Sequence, residues 1–236
     1  MLSGRLFVLI FMYGNQVIFK SRDETGKLLA EKLLALQLKN PIVIAIPRGG
    51  VVIGCEIAKR IGADLDVITP KKIPAPQNPE LAIGAVMHDG SFFINEEVAA
   101  ASSASRAYIE SAKEKTRNES ARRLLAYRRE RAPPLLNGRT VILTDDGIAT
   151  GSTMEVAIKW VKEQNSERVI VAVPVIPTSI LAKLKKYVDN VIYIEATESF
   201  FAIGQFYKIF EQVSDEEVVR MLQDYWKNYN KDKKPA

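Results

Sequence analysis

Two adjacent carboxylates, Asp145 and Asp146, follow directly after an apolar run at 140–144. That run is rich in β-branched residues and predicts a buried strand. In open α/β sheets, ligands bind at the carboxyl ends of the strands, so the two acids are candidates for binding chemistry. Gly147 and Gly151 come next, and glycines let the backbone turn tightly and approach a ligand.

The segment after the two acids offers groups that bind anions. A helix is predicted from residue 152, and the free amides at a helix start attract phosphate. Hydroxyl groups add to these amides, from Thr150, Ser152 and Thr153. A phosphorylated sugar would use both halves of this arrangement, because its hydroxyls suit the acids and its phosphate suits the amides. No lysine follows Gly151, so the segment is not a Walker A loop.

The stretch at 141–154 resembles the phosphoribosyl pyrophosphate (PRPP) motif of the type I phosphoribosyltransferases. The shared pattern is a hydrophobic run, two acids, and then Ala-Thr-Gly-Ser-Thr. Over 19–225 the layout is similar to an uncharacterised branch of that family. The resemblance implies a Mg²⁺-dependent transferase that moves the 5-phosphoribosyl group of PRPP to an unidentified acceptor, a nucleobase or an amine, and releases pyrophosphate.

The resemblance also implies roles for individual residues. Asp145 and Asp146 would bind the ribose hydroxyls and lie near Mg²⁺. The 5′-phosphate would be held by Ala149, Thr150, Gly151, Ser152 and Thr153. The pyrophosphate would be held by Arg48, Gly49 and Gly50 and by the basic pair Lys71 and Lys72. The segment 73–82 lies where the family has a mobile lid, and here it contains no lysine or arginine.

The acceptor is the open question. Hypoxanthine-guanine members of the family have an aspartate where this chain has Ala149. That difference argues against 6-oxopurines bound in that way and leaves adenine, pyrimidine, amide or other acceptors open. The segment 199–210 is rich in aromatic residues, on which a flat base could stack. Its candidates are Phe200, Phe201, Phe206 and Tyr207, although ordinary core packing is the alternative for all four.

The elements that must position these residues alternate between strands and helices. Apolar runs predict strands at 41–46, 65–69, 140–144, 169–173 and 191–194. Helical spacing predicts helices at 23–38, 51–61, 102–131, 152–164, 178–186 and 214–225. His88-Asp89-Gly90 predicts a β-hairpin between 83–87 and 91–94, and three prolines predict a loop at 71–80. The order favours an α/β fold: a mostly parallel twisted sheet with helices on both faces, plus a small accessory hood and the hairpin.

The whole chain divides into three predicted parts. Residues 1–18 form an extension, either an extra strand or the product of an upstream start with Met12 as the alternative initiator. Residues 19–225 form one domain with its hood, and 226–236 form a polar tail. The apolar run at 6–13 is much shorter than the ~20 residues that span a bilayer. We therefore expect a cytoplasmic protein with Cys55 reduced.

Composition narrows the remaining function classes. One cysteine and one histidine exclude an internal disulfide and multi-histidine metal sites. The net charge is +5, and 106–131 alone holds nine basic and four acidic residues. An alternative is therefore a non-catalytic PRPP-sensing regulator that binds nucleic acid through this helix. A hydrolase or lyase using the same pocket is a second alternative, and a homodimer is expected from the resemblance.

Overall fold

The computed structural model describes residues 11–13 and 16–232. The strands are β1 (Phe11–Tyr13), β2 (Gln16–Ile18), β3 (Pro41–Ala45), β4 (Asp64–Val67), β5 (Lys71–Ala75), β6 (Asn78–Val86), β7 (Phe92–Ile94), β8 (Thr140–Thr144), β9 (Arg168–Pro177) and β10 (Asn190–Thr197). The helices are α1 (Arg22–Leu34), α2 (Gly49–Ile61), α3 (Glu96–Ala101), α4 (Arg106–Arg128), α5 (Ser152–Glu163), α6 (Thr178–Leu184) and α7 (Asp215–Asp232), with a short 3₁₀ turn at Ile203–Phe206.

A parallel sheet in the order β10-β9-β8-β3-β4 forms the centre of the molecule. Its side chains alternate between two apolar layers, as the period of a strand requires. Val43 and Ala45 pack on the side of α1, α2 and α7, whereas Ile42 and Ile44 pack on the side of α5 and α6. Because these strands are buried on both faces, their sequences are continuous apolar runs. The predicted α/β fold with a mostly parallel sheet is confirmed.

The adjacency of β3 and β8 positions the site. These strands pair in parallel, with Ala45 opposite Thr144. Their carboxyl ends therefore lie side by side at one edge of the sheet. The turn that leads into α2 follows β3, and the acidic pair follows β8, so the two predicted binding segments meet although about a hundred residues separate them.

The predicted loop at 71–80 is wrong, because most of this segment forms an antiparallel hairpin of β5 and β6. With β7 these strands make a second sheet in the order β5-β6-β7. Prolines are tolerated because the register shifts around Pro74, where the ladder is irregular. Ile73 and Ala75 alternate with exposed Lys72 and pack into a small core of their own. The hairpin predicted around Asp89-Gly90 is confirmed as β6 and β7.

Several helix boundaries also differ from prediction, and α1 ends at Leu34 rather than at residue 38. The long helix at 102–131 begins later, at Arg106, and the separate short helix α3 precedes it. Helix α7 continues to Asp232, so the predicted polar tail at 226–236 is helical through that residue. The reason is Trp226, whose buried indole donates to the carbonyl oxygen of Leu65 at 2.7 Å.

The N-terminal extension is only partly within the described residues. Phe11–Tyr13 and Gln16–Ile18 pair as an antiparallel ladder, and residues 1–10, 14 and 15 lie outside the description. Across the described part of the chain, we find no helix with the length and apolar character needed to cross a bilayer.

Candidate active site

The acidic pair begins where β8 ends. The backbone amide of Asp146 donates to Oδ1 of Asp145 at 2.8 Å, which fixes the first carboxylate against the turn. Burial raises the pKa of Asp145 well above its ordinary value, and the nearby charge of Asp146 raises it further. The two acids are therefore unequal, because ionisation of Asp145 is opposed by its surroundings.

Arg22, the first residue of α1, binds Asp146. Its Nε and Nη2 atoms each lie 2.8 Å from Oδ2 of Asp146, and the two side chains are only 11% and 13% exposed. The third nitrogen of the guanidinium donates to the carbonyl oxygen of Glu211 at 2.9 Å. Sequence reasoning missed Arg22, because nothing in the local pattern joins residues 124 positions apart.

The aromatic segment completes the clamp around Arg22. The guanidinium carbon of Arg22 lies 3.9 Å from the centre of the Phe210 ring. Tyr207 stacks on Phe210 and donates its hydroxyl to the carbonyl oxygen of Asp146 at 2.8 Å. The accessory segment after β10 therefore holds the acidic pair from outside the sheet.

The glycines after β3 touch the acidic pair directly. A Cβ atom at Gly49 would collide with Oδ2 of Asp146, and one at Gly50 would lie 2.9 Å from Cα of Asp145. Both approaches are closer than van der Waals contact, so any side chain here would displace the acids. The peptide bond between Pro47 and Arg48 is cis. The two segments that the resemblance assigns to pyrophosphate and ribose thus share one surface.

The third segment is the turn from Asp146 into α5. Gly151 is the N-cap of α5 with a φ of 83°, a conformation that favours glycine, and no side chain caps the helix start. Ala149 and Thr150 are exposed, and the hydroxyls of Thr150 and Ser152 lie 3.4 Å apart. Ser152 and Thr153 are half-buried. The start of α5 therefore presents amides and hydroxyls that suit a phosphate group.

The predicted basic residues differ in their surroundings. Nη1 of Arg48 lies 3.9 Å from Oδ1 of Asp215. Lys71 forms an ion pair with Glu119, and this hydrogen bond and charge lower the pKa of Glu119. Lys72 is exposed on β5, where its backbone pairs with Ala85. Of the predicted pyrophosphate groups, Gly49 and Gly50 adjoin the acids, Arg48 faces Asp215, and Lys71 is held by Glu119 of α4.

The aromatic candidates also divide. Phe206 is fully buried with Phe19 and Val175, so it has no open ring face for a base and is not a stacking residue. Tyr207 is nearly buried in the same cluster and supports Asp146 instead. Phe201 is exposed, and half-buried Phe200 packs on Phe206 with ring centres 5.3 Å apart. Core packing thus accounts for half of the predicted set.

Asp145 and Asp146 could provide only part of the ligand shell of a metal ion. Within the described residues, no three His, Cys, Asp or Glu side chains are arranged to hold a metal ion. Asp145 and Asp146 could supply two of the oxygen ligands that Mg²⁺ prefers. The remaining ligands would have to be water and substrate oxygens, which is how Mg²⁺ is commonly bound beside phosphates.

Comparison with known proteins agrees with this geometry. Residues 18–208 match the family model described as "Phosphoribosyl transferase domain". Two curated Mycobacterium tuberculosis proteins, from strains CDC 1551 and H37Rv, are 38% identical over 205 residues, and both are named "Putative phosphoribosyl transferase". The match covers 87% of this chain and 46% of each relative, so the chain spans about half the length of these proteins.

A solved structure extends the likeness to three dimensions. The crystal structure of the protein TT1426 from Thermus thermophilus is similar with a TM-score of 0.76 and 38% identity. The match covers 88% of this chain and 99% of that one.

Proposed function

This chain belongs to the phosphoribosyl transferase family, and we propose from that premise that it transfers the 5-phosphoribosyl group of PRPP to a small acceptor. The observation that carries the proposal is the contact of Gly49 and Gly50 with Asp145 and Asp146. This contact brings the candidate pyrophosphate loop against the two acids, and the candidate phosphate cradle at the start of α5 follows them in the chain. A sugar with phosphates at both ends matches that order of groups.

The reaction breaks the bond between the anomeric carbon and a pyrophosphate oxygen. A bond from the acceptor forms at the same carbon, the acceptor loses a proton, and pyrophosphate leaves with the bonding electron pair. Positive charge develops on the sugar in such reactions, and fixed carboxylates stabilise it. We assign this role to Asp146, the binding of the ribose hydroxyls to both acids, and the binding of the leaving group to Arg48 and the amides of Gly49 and Gly50.

Arg22 defines how Asp146 contributes. Both of its bonding nitrogens contact the same oxygen, Oδ2, so Oδ1 of Asp146 is the oxygen that can face a ribose hydroxyl. The clamp holds the carboxylate in one orientation, which reduces the entropy lost when substrate binds. It also lowers the net charge of the acid pair, since one guanidinium offsets one carboxylate.

We propose Mg²⁺ as the cofactor, bound together with PRPP. The donor set fits this ion only in part, because two carboxylates need substrate oxygens and water to complete the shell. When bound, Mg²⁺ would neutralise charge on the pyrophosphate. We therefore expect measurable Mg²⁺ binding only in the presence of PRPP or pyrophosphate.

We propose that the acceptor is a small molecule, and we do not assign its identity. Ala149 argues against a 6-oxopurine bound through an aspartate at that position. The exposed ring of Phe201 and the half-buried ring of Phe200 are the stacking candidates that the structure leaves accessible. Both lie in the segment that follows β10, whose Tyr207 supports the acid pair.

The nucleic-acid alternative finds less support in the structure. Several basic residues of α4 are engaged by carboxylates: Lys113 by Glu110, Arg117 by Glu114, Arg123 by Asp215 and Arg128 by Asp66. These pairs reduce the positive charge available to a phosphate backbone. A filter-binding titration with duplex DNA and RNA at increasing salt tests this alternative, and we expect no salt-sensitive binding.

The activity test is pyrophosphate release from Mg²⁺–PRPP with a panel of nucleobases and amines. We expect release that depends on one acceptor class and that fails in Asp146→Asn. Glu167→Gln is the matched control, because that carboxylate is exposed and directly precedes β9, at the opposite edge of the sheet. Release without any acceptor would instead support the hydrolase or lyase alternative.

A further inference from the structure

A second group of charged side chains lies beside the candidate pyrophosphate loop. It joins Arg48 of that loop, Arg123 of α4 and Asp215, the first residue of α7. Oδ1 of Asp215 lies 3.9 Å from Nη1 of Arg48 and 3.2 Å from Nη2 of Arg123. The hydroxyl of Tyr127 donates to the same oxygen at 2.5 Å. One carboxylate oxygen therefore faces two guanidinium groups from different elements.

The packing of α4 explains why Arg123 reaches this place. Thr69 follows β4, and its hydroxyl donates to the carbonyl oxygen of Ser120 at 2.9 Å. The hydroxyl of Ser120 donates back to the carbonyl oxygen of Thr69. This reciprocal contact fixes α4 beside the carboxyl end of β4. Arg123 lies one turn further along α4 and thus at the same edge as Arg48.

The exposure of this cluster distinguishes it from a structural ion pair. The side chains of Arg48, Arg123 and Asp215 are 34%, 33% and 45% exposed. By contrast, Arg128 of the same helix pairs with Asp66 of β4, and these two side chains are 8% and 2% exposed. A ligand can reach the first cluster and cannot reach the second.

The charge of the cluster is also unbalanced. Partial burial opposes ionisation of Asp215, but the hydrogen bond from Tyr127 and the charge of Arg123 hold its pKa below the ordinary value. Burial and the bond to Asp215 raise the pKa of Tyr127, so its hydroxyl stays protonated at neutral pH. Two cations therefore share one anion, which leaves a net positive charge beside the loop.

We propose that Arg123 is a second pyrophosphate-binding residue and that Asp215 is the internal counterion which pyrophosphate displaces. The inference rests on the proposed function, because it assigns a further contact to the same leaving group. Guanidinium groups bind diphosphate oxygens in a bidentate manner. The segment 73–82 has no lysine or arginine. Arg123 thus supplies from α4 the positive charge that the lid segment lacks.

The test compares the binding of two ligands to the full chain by calorimetry, namely Mg²⁺–pyrophosphate and ribose 5-phosphate. Arg123→Gln should weaken pyrophosphate binding about tenfold or more and leave ribose 5-phosphate binding unchanged. Asp215→Asn keeps an acceptor for Tyr127 but removes the competing charge, so it should strengthen pyrophosphate binding. Arg122→Gln is the matched control, because it removes the same charge from an exposed neighbouring position of α4.

Two further measurements, on Arg123→Lys and on PRPP binding by the parent, distinguish a binding role of Arg123 from a structural one. Arg123→Lys keeps the charge and should recover part of the pyrophosphate affinity, which a purely structural role would not require. Equal pyrophosphate affinity in the parent and Arg123→Gln, or equal loss of both ligands, would overturn the inference. Pyrophosphate binding that depends on Arg123 in a parent that binds no PRPP would support the inference and overturn the proposed transferase function.

Discussion

The ion pair between Arg22 and Asp146 gives the sharpest prediction about stability. We consider Arg22→Met, which keeps an unbranched side chain against Phe210 but removes the charge. Both partners are nearly buried, so the substitution strands a carboxylate away from water. Removing one member of a buried pair costs about 3–5 kcal/mol of unfolding free energy. The hydrogen bond from Arg22 to the carbonyl oxygen of Glu211 is lost as well, but it is exposed and water can replace it, so the expected cost stays at about 3–5 kcal/mol.

The assay is urea unfolding of the parent, Arg22→Met, Asp146→Asn and the double variant. The double variant leaves neither charge buried alone, so its loss should be smaller than the sum of the single losses by about 1–3 kcal/mol. Arg60→Met is the control, because Arg60 pairs with Glu31 at 2.6 Å but the two side chains are 59% and 46% exposed. Surface pairs of this kind contribute about 0–1 kcal/mol.

Two results would refute the reasoning on Arg22. One is a loss in Arg22→Met no larger than that in Arg60→Met, since the pair would then behave as a solvated one. The other is strict additivity in the double variant, since Arg22 and Asp146 would then not be coupled.

Three further predictions each concern a single residue: Gly49, Asp145 and Trp226. Gly49→Ala should abolish PRPP binding by calorimetry, because its Cβ would collide with Asp146, whereas Gly62→Ala, in open space at positive φ, should cost only about 1–2 kcal/mol of stability. Asp145→Asn should be more stable than the parent at pH 7 in urea unfolding. The folded pKa of Asp145 is raised, so the parent loses stability as pH rises through that pKa, and the advantage of Asn should vanish below about pH 4. An advantage that persists at pH 3 would contradict this reasoning. Trp226→Ala should lower the free energy of unfolding by about 3–5 kcal/mol, because a buried indole and its hydrogen bond to β4 are lost. A loss below about 1 kcal/mol would show that Trp226 does not anchor the end of α7.

Much of the fold could be predicted because its strands are short apolar runs between helical patterns. The errors have local causes. Three prolines outweigh the alternation of Ile73 and Ala75 in the sequence, and a proline in a strand is accommodated only by an irregular register that no single sequence displays. The sequence pattern predicts the end of α7 too early because the residues after Trp226 are mostly polar. Trp226 itself could have indicated a longer helix, since a large aromatic side chain is seldom left in a frayed tail.

The candidate site could be predicted only where its residues are neighbours in sequence. The acids, the following loop and the turn after β3 each form a compact pattern, and the pairing of β3 with β8 joins them. Arg22 and Asp215 belong to no such pattern, since tertiary packing alone brings them to Asp146 and Arg48. Local spacing also cannot separate exposed from buried aromatics, which is why the sequence places Phe206 among the acceptor candidates. The cytoplasmic location and the homodimer stay predictions.

The most direct test is calorimetric titration of the parent and of Asp145→Asn with Asp146→Asn by PRPP, with and without Mg²⁺. The parent should bind one PRPP per chain more tightly with Mg²⁺ than without, and the double variant should lose the Mg²⁺-dependent part. PRPP binding that is unchanged in the double variant, or no binding by a folded parent, would contradict the assignment of these two carboxylates to the sugar.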